Sequence, residues 1–185
     1  MSGFTHLHVH TVYSLLDGAS KIPALVSRAK ELGMDSIAIT DHGVMYGVID
    51  FYKECTKQGI KPILGMEAYV APASLYDREG VREYNHLILL AKNQIGYKNL
   101  MKLSSIAFVD GFYYKPRIDY DILEKYHEGI ICLSACLAGS IPQALLNGRY
   151  DDAHALALRL KRVFGDDFYI CLLYTSDAAD DRISV

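Results

Sequence analysis

Three of the chain's seven histidines fall within five residues, in Thr5-His6-Leu7-His8-Val9-His10-Thr11. In an extended strand side chains alternate faces, so His6, His8 and His10 share one face while Leu7 and Val9 share the apolar opposite one. Two imidazoles one residue apart on a strand can grip an ion from one side, and neutral imidazole is the commonest ligand for zinc-like metals. A histidine-rich surface strand is the competing reading of this stretch alone. Further donor types follow at wide spacing. Asp41-His42 emerges directly after the apolar run Ile37-Ala38-Ile39-Thr40. Asp41 reads equally well as a helix cap or a ligand, and His42 as a ligand. Glu67 sits inside Ile63-Leu64-Gly65-Met66-Glu67-Ala68-Tyr69-Val70. A carboxylate there must be paired, protonated or bound to a cation, and Gly65 lets another group approach the backbone. Asp17 before Gly18 is by itself a turn residue. Cys136 is either a small buried hydrophobe or, beside histidines and a metal, a thiolate. His6 lies deeper in its strand and is assigned an outer hydrogen-bonding role, while His127 and His154, on charged helices, are assigned to the surface.

These residues need elements to position them. Residues 4–9 read as a strand and Ile22 to Leu32 as an amphipathic helix with Pro23 in its first turn and Gly33 as its stop. Strands follow at Asp35 to Thr40, Lys61 to Val70, His86 to Ala91 and Gly129 to Leu133, with a last one starting at Phe168-Tyr169-Ile170. Helices are expected at Val48 to Lys57, Asn99 to Phe108, Tyr120 to His127 and Asp151 to Phe164, and residues 73–83 read as an exposed charged loop. Alternating strands and helices argue for an α/β fold with a parallel sheet. His8, His10, Asp41, His42, Glu67 and Cys136 then fall at or near the C-terminal ends of strands, the edge where such folds build sites. His86, at the start of its strand, is the exception.

The bulk properties bound the function. At 185 residues and about half apolar, the chain supports one well-buried domain. No apolar run approaches the roughly 18 residues that span a bilayer and no charged-then-apolar leader precedes Phe4, so a cytoplasmic protein without membrane partners is the default. The net charge of -3 gives no overall basic field for nucleic acid. Cys55, Cys132, Cys136 and Cys171 lack CxxC spacing, which disfavours disulfides; Cys55 and Cys132 read as buried.

Taken together, His8-x-His10, Asp17-Gly18, Thr40-Asp41-His42, Gly65-x-Glu67, His86 and Ser134-x-Cys136 resemble the signature of the polymerase and histidinol phosphatase (PHP) domain. Longer runs, among them residues 8–18, Lys61 to Val70 and Gly111-Phe112-Tyr113-Tyr114-Lys115-Pro116-Arg117-Ile118-Asp119, are similar to the N-terminal PHP domains of bacterial DNA polymerase III alpha subunits. The resemblance implies a distorted TIM-like (β/α)7 barrel of parallel strands, here incomplete. It also implies a metal site using His8, His10, Asp17, His42, Glu67, His86 and Cys136, with up to three zinc or manganese ions. Such a site can act as a 3′–5′ exonuclease in which clustered ions acidify a water and neutralise the attacked phosphate, with no protein nucleophile. The implied partners are DNA, the sliding clamp and a proofreading subunit.

The chain departs from that pattern in two places. The family's late Asp-x-His ligands do not occur after Cys136, and the catalytic aspartates that copy DNA lie beyond this sequence. From Cys171 onward, Cys171-Leu172-Leu173-Tyr174-Thr175-Ser176-Asp177-Ala178-Ala179-Asp180-Asp181 reads like a translated sequencing adapter, the alternative being a natural divergent tail. The expected organisation is therefore a PHP domain over 1–170 and a non-native tail over 171–185. An incomplete barrel is expected to expose a sheet edge and apolar surface and to aggregate. Two other readings remain: a metal-stabilised docking module without nuclease activity, and a stand-alone phosphatase of the histidinol phosphatase type, which the Lys115-Pro116-Arg117 connection disfavours. Lys115 and Arg117 are read as a solvated loop in preference to phosphate contacts.

Overall fold

Alternation along Lys61–Val70 (β2) sets the layers of the molecule, seen in a computed structural model that describes residues 4–79 and 83–172. Met66, Ala68 and Val70 point one way, into a core with Leu87 and Leu89 of Asn85–Ala91 (β3) and Leu100 and Leu103 of Gln94–Val109 (α3). Ile130–Leu133 (β5), Ser140–Leu146 (α5) and Tyr150–Phe164 (α6) extend that helix-covered face. Gly65, Glu67 and Tyr69 point the other way, toward a smaller apolar cluster of Ala38, Ile88, Leu90 and Ala135. A Cβ on Gly65 would sit 2.4 Å from the Leu89 carbonyl oxygen, so the group that approaches this backbone is the neighbouring strand.

A third cluster packs Ile22–Glu31 (α1) and Val48–Gln58 (α2) against Ile37 and Ile39 of Ser36–Ile39 (β1). Pro23 opens α1, and Gly59, left-handed at φ 76°, closes α2. Tyr120–Lys125 (α4) is capped by Asp119, whose side chain accepts from Ile122 N. The helix expected at Asn99 starts earlier, because the Asn93 side chain accepts from Gly96 N and caps it there. The short α5, with its internal Pro142, has no counterpart in the expected elements. Among the described residues no helix is long and apolar enough to cross a membrane.

The six-stranded sheet runs β1-β2-β3-β5-β6, with Phe168–Tyr169 as β6 and Arg117–Ile118 (β4) pairing β2 off that path. The all-parallel expectation is corrected. β3 is antiparallel to both β2 and β5, while β1/β2, β2/β4 and β5/β6 are parallel. Residues 71–84, between β2 and β3, form no helix among the described residues, and a parallel return is commonly made through a helical crossover. Reversal also accounts for His86. The start of β3 lies at the rim where β2 ends, with Tyr69 opposite His86.

The strand expected over 4–9 is also corrected. The segment is extended beside β1, with Ala38 N donating to His6 O and Thr40 N to Val9 O, but it bends at His8. Two residues of β1 thus advance against three of the segment, a bulge-like slip that breaks the alternation. His6 consequently leaves the common face, is exposed, and packs its ring edge-on against Phe4 instead of supporting the site.

Candidate metal centre

The rim built by these reversals gathers side chains from six segments around Glu67. Its side chain is 1% exposed. Oε1 lies 3.1 Å from His8 Nε2 and 3.0 Å from His86 Nδ1; Oε2 lies 3.7 Å from His10 Nε2 and faces His42 Nδ1. His8 and His10 bring their Nε2 atoms within 3.0 Å of each other, and His42 Nε2 lies 3.0 Å from Asp17 Oδ2. Cys136 Sγ lies 3.9 Å from His86 Nδ1. All seven residues that the resemblance implies as ligands therefore meet at one place. Within it, His8, His10 and Glu67 form one group, and His42, Glu67 and His86 another, whose donor atoms lie close enough to hold a metal ion.

Local backbone explains the convergence. Residues 11–18 fold back as a tight loop, with Ser14 N donating to Thr11 O and Gly18 N to Ser14 O. A Cβ on Gly18 would lie 1.9 Å from Thr11 O, so the loop closes only on glycine. The Asp41 side chain neither caps a helix nor meets Glu67: α2 starts seven residues later, at Val48, and it is the Asp41 backbone oxygen that accepts from Glu67 N. Buried, Asp41 accepts from Thr11 N, Thr11 Oγ1 and Ser14 Oγ, tying the loop to the end of β1. Ser14 Oγ also accepts from His42 N. Asp41 was legible as an ionisable group at a strand end; Ser14 carried no signal, because its partners are 4 to 28 residues away.

The electrostatics follow from burial and crowding. Burial lowers His10 to about 4, against the pull of Glu67 and with the help of His42 and His8. Burial also opposes charge on His86, yet the bonds to Cys136 and Glu67 outweigh it and raise His86 to about 9. Glu67 shows the same contest: burial pushes it up, and the facing imidazoles of His42, His8 and His86 hold it well below the usual carboxylate range.

The donor set fits a cation. If His42 Nε2–H donates to Asp17, Nδ1 presents a lone pair to Glu67 Oε2, and both of these buried atoms lack a hydrogen-bond partner. Two buried lone-pair atoms facing each other are unfavourable unless a positive ion lies within reach of both.

Arg117 corrects another expectation. It is 3% exposed and donates to the carbonyls of Gly111, Leu75 and Asp77, so it is neither a solvated loop residue nor available to a phosphate. Lys115 is half-buried, its Nζ 5.4 Å from the Tyr69 ring centroid. His154 is exposed as expected, whereas His127 is half-buried, its Nδ1 2.6 Å from Glu124 O. Cys55 and Cys132 are fully buried.

The family sequence model of the PHP domain matches residues 6–172. The chain belongs to the PHP domain family. This PHP domain is 57% identical over 173 residues to the DNA polymerase III subunit alpha of Borreliella burgdorferi, an alignment taking in 91% of this chain and 15% of that protein. The corresponding subunit of Treponema pallidum is 53% identical over 169 residues, covering 90% and 14%, and that of Helicobacter pylori 49% over 177, covering 90% and 15%. The chain thus spans about a seventh of the length of these relatives. Among solved structures, an amidohydrolase from Chromobacterium violaceum aligns over 90% of this chain and 84% of its own, with 14% identity and a TM-score of 0.49, too distant to bear on ligand or reaction.

Proposed function

We propose that this PHP domain is the N-terminal part of a DNA polymerase III alpha subunit and hydrolyses phosphodiester bonds at DNA 3′ ends. In this reading His8, His10, Asp17, His42, Glu67, His86 and Cys136 are its metal ligands. What supports the reading is the convergence of four imidazoles on one ionised, buried carboxylate, with two facing atoms, Glu67 Oε2 and His42 Nδ1, left without a hydrogen-bond partner. When bound, zinc or manganese ions, up to three in the intact domain, supply charge neutralisation at the attacked phosphate and a water of lowered pKa. The chain's own residues do the positioning. Glu67 offers one oxygen to His8 and His86 and the other to His10 and His42, so it would take part in holding an ion with either histidine pair, His8 and His10 or His42 and His86. Asp17 faces the outer nitrogen of His42, and Cys136 flanks His86. A buried, water-poor floor strengthens each of these interactions. DNA synthesis, contact with the sliding clamp and a proofreading subunit, and a cytoplasmic location belong in this reading to the longer protein. Residues 171–185 are assigned to a non-native tail, of which 173–185 lie outside the described residues.

A second reading has its own supporting observation. The candidate ligands come from segments far apart in sequence, so a bound ion would cross-link them and hold the fold without hydrolysing anything. A His8→Ala/His10→Ala double variant separates the two. Metal content by elemental analysis, melting temperature and release of nucleotides from 3′-labelled single-stranded DNA with zinc or manganese are measured together. Lost hydrolysis at an unchanged melting temperature supports the nuclease; lost stability in a parent that hydrolyses nothing supports the structural metal.

A further inference from the structure

Beside the cluster lies a cavity of about 450 Å³, within the size range of small-molecule sites. One side is formed by Asp17, His42 and His86, so a molecule in it touches the candidate metal centre. Much of the remaining lining is aromatic, beside Leu15, Leu16, Val44 and Pro116. Tyr46 is 61% exposed and Phe108 36%, their ring centroids 6.2 Å apart at 35°, and Phe112 continues the row, 6.3 Å from Phe108 and roughly parallel to it. Deeper in, Tyr84 lies parallel to His86 and meets Tyr69 edge-on. Among the described residues, Lys115 is the lysine or arginine that lines the cavity. The Lys115 ammonium lies over the Tyr69 ring, and among the described residues no carboxylate is within ion-pair distance of it.

Exposed rings in a row are costly to leave in water and offer π faces to planar ligands. An ammonium without an ion-pair partner among the described residues suits a phosphate, and donor atoms that would hold cations lie on the facing side. Aromatic platforms joined to a cation are how proteins hold single-stranded nucleic acid. We propose that this cavity seats the 3′-terminal nucleotide of a single DNA strand, with its base against Tyr46 and Phe108 and its phosphate at Lys115. This assignment rests on the hydrolytic reading above for which end of the strand enters. A protein segment covering the aromatic row would explain the exposed rings but leaves Lys115 and the continuity with the cluster unused.

The test is a binding measurement on the chain stripped of metal, so it does not depend on turnover. An oligodeoxynucleotide carrying a fluorescent adenine analogue at its 3′ end, or the same analogue at an interior position, is titrated with parent, Tyr46→Ala/Phe108→Ala and Lys115→Met. The parent is expected to quench the 3′-terminal probe more than the interior one. The aromatic double variant weakens binding by at least about fivefold, as loss of one base stack does. Lys115→Met lowers the slope of log affinity against log salt by about 0.7, the loss of one phosphate contact to a single strand. Melting curves of each variant verify folding. Equal quenching at both positions, or affinity unaltered in both variants, overturns the proposal. Hydrolysis of a small chromogenic phosphodiester by the metal-loaded parent is read separately. Its absence with terminal quenching intact sinks the hydrolytic reading and leaves the nucleotide site standing, and its presence with unaltered binding does the reverse.

Discussion

His10 Nδ1 lies 3.1 Å from Ser14 Oγ, and that hydroxyl donates to Asp41 Oδ1 at 2.7 Å. Because the Ser14 proton is committed to the carboxylate, Ser14 can only accept from His10, which places the imidazole proton on Nδ1 and leaves Nε2 as a lone pair aimed at Glu67 and His8.

Ser14→Ala therefore lets His10 take the wrong tautomer. Metal affinity, measured by calorimetric titration, is expected to fall about 10- to 100-fold. The metal-free chain loses only about 1 kcal/mol, because Asp41 keeps its bonds from Thr11 N and Oγ1. Unaltered affinity would show that the loop merely packs against the site.

Thiol labelling reads the role of Cys136. Cys55 and Cys132 are fully buried, and burial pushes the Cys55 thiol up to about 11 and Cys132 higher still, so neither reacts at neutral pH. Half-buried Cys136 and Cys171 are expected to react with iodoacetamide. Saturating zinc should suppress labelling of Cys136 alone, as followed by peptide mass mapping; equal labelling with and without zinc removes Cys136 from the ligand set.

Arg117 secures the wall from which Lys115 projects. Replacing it with leucine removes the donor to the carbonyls of Gly111, Leu75 and Asp77. A cost of about 1–3 kcal/mol is expected from the orphaned acceptors. For a chain of this size that lowers the melting temperature by about 2–4 °C per kcal/mol.

Tyr120 supplies an alkaline limit remote from the centre. Burial pushes its hydroxyl up to about 12, against a small opposing effect of its 2.8 Å bond to Ser140 Oγ. The folded chain thus holds this proton more tightly than the unfolded one, whose tyrosine titrates near 10. The stabilisation is fully present below pH 10 and is lost as pH rises through about 12, on the order of 2–3 kcal/mol. Urea midpoints of Tyr120→Phe against parent should differ in pH slope only within that window.

Residue chemistry made the site legible before any fold was in hand. Histidines at 8 and 10, a histidine after a buried strand and a glutamate inside one are each unfavourable unless something binds them, and this cost is visible locally. Helix and strand positions followed likewise from apolar periods, Pro23 and Gly33 included. Strand direction was not legible, because it depends on which elements bridge β2 and β3 and not on the residues within either. The same holds for His6, displaced by a bend at His8, and for Arg117, two of whose three acceptors lie on a loop 40 to 42 residues earlier in the chain. Ser14 and Asp41 show the division most plainly. Their types are ordinary for a turn and a strand end, and folding alone brings them 2.7 Å apart behind His10.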